Sequence, residues 1–236
     1  MSDTGILYGV GVGPGDPELL TLKAVAVLGR ADVIFAAASS KNDYSVALTI
    51  AGPHVRPGIP VERLDFPMTR DAAVLEAAWE ANAVRVADVL RQGRTAVFLT
   101  LGDPLLYSTF GYLMRTLARH APEAAVEVVP GVTSFQAAAA RTRTILAESG
   151  ENLMIVPGVC GEASLENALD AADNAVILKA YKNFGAIRSV LAARGLAGRS
   201  VFVSRVGMAD EVVATPLDRA PDKPHYLSLV LVKKGE

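Results

Sequence analysis

A chain of 236 residues, 51% hydrophobic and 20% charged, has ample material for one large or two small α/β cores and none of the composition of a disordered chain. Its net charge of −2 argues against a surface built to grip a nucleic-acid backbone, and its single cysteine, Cys160, excludes a disulfide framework within the chain or a multi-cysteine metal site. The first residues lack the basic-then-apolar layout of a signal peptide, and no apolar run approaches a membrane span, so the expectation is a soluble cytoplasmic protein with no nucleic-acid or membrane partner.

Residues 6–12 (ILYGVGV) form a short apolar run ending in glycines, which predicts a buried strand entering a loop. Residues 19–28 have helical spacing and 32–36 (DVIFA) read as a second strand. Residues 71–90 predict a long Ala-rich helix stopped by Gly93. A third strand, 95–101 (TAVFLTL), is broken by Gly102-Asp103-Pro104. A helix over 107–120 is ended by Pro122, and a strand over 126–129 is closed by Pro130-Gly131. Such alternation implies a mostly parallel sheet covered on both faces. Beyond it, strands are predicted at 153–156, 175–178, 200–204, 211–214 and 226–232, with only two helices between them, at 163–172 and 184–194. The last strands follow one another through turns, which suggests a mixed or antiparallel sheet. The expected organisation is two α/β domains, 1–134 and 135–236.

Three strand-end turns carry candidate chemistry. Gly9-Val10-Gly11-Val12-Gly13-Pro14-Gly15-Asp16-Pro17 is not a dinucleotide fingerprint: counted from Gly9 its sixth position is Pro14, counted from Gly11 it is Asp16, and an acid there repels a pyrophosphate. By itself it reads as a tight strand-to-helix turn. Leu101-Gly102-Asp103-Pro104-Leu105-Leu106-Tyr107-Ser108-Thr109 lies where open parallel sheets place ligands. Asp103 there either accepts from a ribose hydroxyl or a ligand ammonium, or caps the following helix. Pro130-Gly131-Val132-Thr133-Ser134 opens an Ala-rich helix, and its hydroxyls either cap that helix or hold a carboxylate.

Taken together and in this order, with Leu20-Thr21-Leu22-Lys23-Ala24 after the first, these turns resemble those of the tetrapyrrole methylases over nearly the whole chain. Asp65-Phe66-Pro67-Met68-Thr69-Arg70-Asp71, the run from Phe98 to Pro104 and Leu178-Lys179-Ala180-Tyr181-Lys182-Asn183 resemble the branch that methylates carbon 20 of precorrin-2 in cobalamin biosynthesis. Leu101 stands where the uroporphyrinogen III methylases usually carry a second glycine. The resemblance implies S-adenosylmethionine as cofactor, folded into a cleft between two α/β domains, a small-molecule tetrapyrrole substrate, and a homodimer. It implies that Pro14 lines the cleft; that Leu101, Gly102 and Asp103 meet the amino-acid part or ribose; that Leu106 and Tyr107 flank the adenosine or the methyl, Tyr107 as a positioning group; and that Thr133 and Ser134 hold the carboxylate. From the second domain it implies Lys179, Ala180, Ser204, Arg205 and Val206.

A tetrapyrrole rich in acetate and propionate groups needs basic partners. The candidates are Lys41, Arg141, Arg143, Lys182 and Arg205, each of which also suits an ordinary solvated charge. His54, His120 and His225 are far apart and read as solvated surface residues. No ligand spacing suggests a metal site. Trp79, with Leu75, Ala83 and Val86 at helical spacing, reads as core packing.

Overall fold

The structure, a computed structural model, describes residues 4–38 and 45–235. The chain divides into two compact units, Met1–Thr133 and Ser134–Glu236.

The first unit runs β1 (Ile6–Gly11), α1 (Leu22–Arg30), β2 (Val33–Ala38), α2 (Val46–Ala51), β3 (Val61–Asp65), α3 (Ala72–Arg91), β4 (Ala96–Thr100), α4 (Phe110–His120) and β5 (Ala125–Val129). Its five strands are all parallel, in the order β3-β2-β4-β1-β5. The three central strands are continuous apolar runs because both their faces are covered. The core between this sheet and α3 and α4 is built on Leu7, Phe35, Leu64, Phe98, Phe110 and Leu117, all fully buried. Trp79 packs partly buried against that core and stacks on Tyr112 with centroids 4.4 Å apart.

The strand order fixes where a ligand belongs. The chain leaves β1 towards β2, on the far side of β4, and leaves β4 towards β5, on the far side of β1. The loops after two neighbouring strands therefore depart in opposite directions, and such a switch point is where open α/β sheets bind ligands.

The second unit runs α5 (Ser134–Thr142), β6 (Leu153–Pro157), α6 (Glu162–Ala171), β7 (Asn174–Leu178), α7 (Phe184–Ala193), β8 (Ser200–Ser204), β9 (Val212–Ala214) and β10 (Ser228–Lys233). Its sheet is mixed, β6-β7-β10-β8-β9, with only the β6–β7 pair parallel. Ile177, Phe184, Leu191, Phe202 and Val230 form its core. Among the described residues no helix is long and apolar enough to cross a membrane.

Local chemistry explains where elements begin. Residues 19–28 are not one helix: Asp16 accepts from Glu18 N and starts a 3-10 turn over Pro17–Leu19, and Thr21 then accepts from Ala24 N and caps α1. The helix expected from residue 107 starts at Phe110, because Tyr107 is left-handed (φ 50°) and Ser108 Oγ accepts the Phe110 N–H at 3.0 Å. α2 and β3 are additions to the sequence reading.

Candidate functional site

At the carboxyl edge of the first sheet three turns meet backbone to backbone. Gly102 N–H donates to Gly13 O at 2.8 Å, which bridges the loop after β1 to the loop after β4. A Cβ built on Gly11 would lie 2.5 Å from Gly102 O and 2.6 Å from Gly131 N, and one on Gly131 would lie 2.1 Å from Gly102 O. Only glycine permits strand ends to approach this closely. Gly102 is glycine for another reason: its φ is +69°, and a Cβ there would meet nothing nearer than Val132 O at 4.0 Å. The Gly102 backbone is thus open on one side.

Asp103 ties these turns together. Its Oδ1 accepts the Leu105 N–H at 2.8 Å and its Oδ2 accepts the Gly131 N–H at 3.1 Å. The carboxylate does not cap the following helix, since α4 begins only at Phe110; it closes the local turn 103–105 and acts as a strut between the turns after β4 and β5. Ser108, which the sequence reading did not single out, is the next link: its hydroxyl accepts the Phe110 N–H at the start of α4 and lies 3.4 Å from Thr100 Oγ1 at the end of β4. The available signal was a Ser two residues before Phe110, a position whose hydroxyl can take an early helix N–H. Pro14 is buried, Leu101, Leu106, Thr133 and Ser134 are half-buried, and Tyr107 is 50% exposed. All except Ser134, the first residue of the second unit, stand on the three turns of the first.

In the second unit the predicted residues follow strand ends. Lys179 and Ala180 follow β7, while Ser204 ends β8 and leads into Arg205 and Val206. Ala180, Ser204 and Val206 are buried. Burial holds the Lys179 amine below the ordinary lysine value. Ser204 pairs across the ladder with Ser228, whose buried hydroxyl finds no hydrogen-bond partner among the described residues. Arg205 Nε lies 2.6 Å from Asp210 Oδ1 as an ion pair.

Among the described residues the non-glycine residues with positive φ are Tyr107, Arg143, Lys179 and Arg205, at 50°, 57°, 55° and 53°. Each is a residue the sequence reading had assigned to cofactor or substrate. A side chain in the left-handed region costs about 1–2 kcal/mol, and such strain clusters at functional sites.

The basic candidates differ in freedom. Arg141 pairs with Glu211 at 2.6 Å. Arg143 and Lys182 are exposed. Lys41 lies outside the described residues. The three histidines are not simply solvated: His54 Nε2 is 3.3 Å from Pro17 O, His120 pairs with Glu80, and His225 Nδ1 accepts the Leu227 N–H at 3.1 Å. Each holds a local turn or helix contact.

The sequence profile of the tetrapyrrole (corrin/porphyrin) methylases matches residues 6–221. The chain belongs to that family. It is 37% identical to a cobalamin biosynthesis protein CobIJ of Mycobacterium bovis across 100% of this chain and 47% of that protein, so it spans about half the length of this relative. It is 35% identical to a cobalt-precorrin-2 C(20)-methyltransferase of Salmonella typhimurium, covering 98% of this chain and 97% of the relative. The solved uroporphyrin-III C-methyl transferase of Thermus thermophilus, in complex with S-adenosyl homocysteine, superimposes with a TM-score of 0.69 at 27% identity, covering 98% of each chain.

The family is S-adenosylmethionine-dependent, and the donors and acceptors at the switch point of this methylase suit that molecule. Asp103 Oδ1 and Oδ2 each accept one backbone N–H, and a carboxylate has about four acceptor sites in all, so each keeps room for a ribose hydroxyl or an ammonium. The open face of Gly102 admits a ligand against the backbone. The Thr133 and Ser134 hydroxyls stand at the start of α5, where an anion is favoured.

Proposed function

We propose that the protein transfers a methyl group from S-adenosylmethionine to carbon 20 of precorrin-2 or its cobalt complex, a step of cobalamin biosynthesis. The observation that carries this reading is the junction of Gly11, Gly102 and Gly131 held by Asp103, in a chain alignable over nearly its full length with a carbon-20 methyltransferase.

When bound, the cofactor supplies a methyl activated by its sulfonium: the electron pair of the new carbon–carbon bond comes from the tetrapyrrole, and the pair of the broken sulfur–carbon bond stays on sulfur. The protein's task is then orientation. Asp103 and the Gly102 backbone hold the ribose or ammonium, Thr133 and Ser134 the carboxylate, and Pro14, Leu101, Leu106 and Tyr107 shape the walls. Within the second unit the residues we assign to cofactor contact are Lys179, Ala180, Ser204, Arg205 and Val206. Arg143 and Lys182, exposed cations, receive the substrate's carboxylates. Cytoplasmic location and a homodimer complete the reading.

The test is incubation with the cofactor and, separately, precorrin-2, cobalt-precorrin-2 and uroporphyrinogen III, followed by mass measurement. A gain of one CH2 on either precorrin-2 form, located at carbon 20, supports the proposal. Methylation of uroporphyrinogen III alone overturns it.

A further inference from the structure

The turn between β3 and α3, residues 67–70, plays no part in the cofactor contacts above, yet it is built to hold an apolar side chain in solvent. Both of its ends are fixed. On the β3 side, buried Asn82 donates to Asp65 O at 2.7 Å, Phe66 N–H donates to Ala38 O at 2.9 Å, and the Phe66 ring packs edge-on against Phe98 with centroids 5.9 Å apart. On the α3 side, Thr69 Oγ1 accepts the Asp71 N–H at 3.1 Å, and Asp71 Oδ1 accepts from Ala73 N at 3.0 Å to cap the helix. Between these anchors Met68 is 66% exposed. Arg70 is exposed and has no ion-pair or hydrogen-bond partner among the described residues. Taken singly an exposed apolar side chain is ordinary, but Met68 stands on a fixed support at the same sheet edge as exposed Leu105 and Tyr107, and methionine adapts to irregular apolar partners.

The register places this turn relative to the switch point. Asp65 pairs with Ala38 across β3 and β2, and Ala36 pairs with Leu99 across β2 and β4. Two residues further on, Ala38 is level with Leu101, so Asp65 lies in the same row as the residue before Gly102. Two strand spacings of about 4.8 Å separate the ends of β3 and β4 by roughly 10 Å along that row. A tetrapyrrole with its peripheral acid chains is wider than this gap. Leu105, 61% exposed, and Tyr107 continue the apolar rim on the β4 side.

We propose that the 67–70 turn is a substrate-specificity element, in which Met68 packs on the apolar macrocycle of an acidic tetrapyrrole bound over the carboxyl edge of the sheet and Arg70 pairs with one of its peripheral carboxylates. The proposal rests on the tetrapyrrole reading above. The guanidinium suits the task because its planar fork matches a carboxylate.

The experiment measures steady-state methyl transfer to precorrin-2 and to cobalt-precorrin-2 by Met68→Ala, Met68→Leu, Arg70→Gln and Arg70→Lys, with the Kd for S-adenosylhomocysteine by calorimetry and the Tm of each variant. For the tetrapyrrole, Arg70→Gln should raise KM about ten-fold or more, the loss of one charge-assisted hydrogen bond. Met68→Ala should raise it several-fold, Met68→Leu should restore most of the loss, and Arg70→Lys should restore part. The Kd for S-adenosylhomocysteine and the Tm should stay at wild-type values. A wild-type KM in Met68→Ala and Arg70→Gln overturns the assignment of the turn and leaves the methyltransferase reading standing. Weakened S-adenosylhomocysteine binding or a lowered Tm in both variants also overturns it, since the turn then acts through the fold. A wild-type protein that methylates neither tetrapyrrole overturns both readings.

Discussion

Asp103 Oδ2 accepts the Gly131 N–H at 3.1 Å, so one side chain joins the turn that follows β4 to the turn that follows β5. Its Oδ1 holds Leu105 N at the same time. Asp103→Ala should therefore cost stability as well as cofactor binding, about 1–3 kcal/mol for the backbone donors left without their acceptor. Asp103→Asn keeps one acceptor oxygen and the side-chain shape, so its loss of stability should be smaller. Loss of the charge should weaken S-adenosylhomocysteine in both variants. Urea unfolding together with calorimetry on the folded fraction checks this. Wild-type affinity in both variants would make Asp103 a strut alone.

The glycines of the junction predict two different failures. A Cβ at position 11 would lie 2.5 Å from a backbone oxygen that has no freedom to move aside. Gly11→Ala should thus destabilise by about 3 kcal/mol or more, the upper range for overpacking. A Cβ at position 102 meets only Val132 O, at 4.0 Å, and the left-handed backbone is what resists it. Gly102→Ala should cost about 1–2 kcal/mol of stability, yet lose most S-adenosylhomocysteine affinity because the methyl group fills the open face. Equal thermal destabilisation by both substitutions would refute this division.

The parts of the fold legible in the sequence are those where burial is uniform. β1, β2 and β4 are covered on both faces, so each reads as an unbroken apolar run. β3 (VERLD) is an edge strand on which only Leu64 is buried, and charged Glu62, Arg63 and Asp65 conceal the strand. α2 is six residues long, too short for a helical period to show. The turns were legible as motifs, but their joining was not. Gly131 and Asp103 are brought together by parallel strands on either side of β1, and no local pattern encodes that pairing. The left-handed state of Tyr107, Lys179 and Arg205 was equally hidden, since it is imposed by the connections that leave β4, β7 and β8 and not by the residue types.

The second unit carries a pH-sensitive clasp away from these turns. Lys233 Nζ donates to Glu151 Oε2 at 2.6 Å, and buried Asn174 donates to the same oxygen at 2.9 Å. Lys233, followed by a backbone N–H at Glu148, holds the Glu151 carboxyl below its ordinary value; Glu151 in turn raises Lys233. A depressed carboxyl contributes stability above its unfolded value of about 4.3 and loses it as pH falls through the lower folded value. A raised amine contributes below its unfolded value of about 10.4 and loses it as pH rises through the higher folded value. Stability should therefore fall on the acid and on the strongly alkaline side. Glu151→Gln should flatten both limbs, read as urea midpoints across pH or as hydrogen exchange of β6, β7 and β10. An unchanged acid limb would show that the clasp carries none of it.

Tyr107 decides whether the protein's residues do anything beyond orientation. Its backbone is left-handed, its ring is half exposed, and it lies on the turn that carries Gly102 and Asp103. With the methyl already activated on the cofactor, no side chain is needed as a nucleophile. Cys160→Ser and single substitutions of His54, His120 and His225 should accordingly leave measurable methyl transfer, whereas loss of a true nucleophile nearly abolishes a reaction. For Tyr107 the ring and the hydroxyl are separable. Tyr107→Phe should keep most of kcat if the ring only shapes the wall. Tyr107→Ala should lose at least about ten-fold in kcat/KM, since misplacement of the reacting groups is costly. Tyr107→Gly should lose as much activity as alanine while gaining up to about 1 kcal/mol of stability, because glycine adopts the left-handed backbone without strain. If Tyr107→Phe is as inactive as Tyr107→Ala, with normal binding of S-adenosylhomocysteine, then the hydroxyl takes part in removing the proton that carbon 20 must shed, and a purely orienting site is wrong.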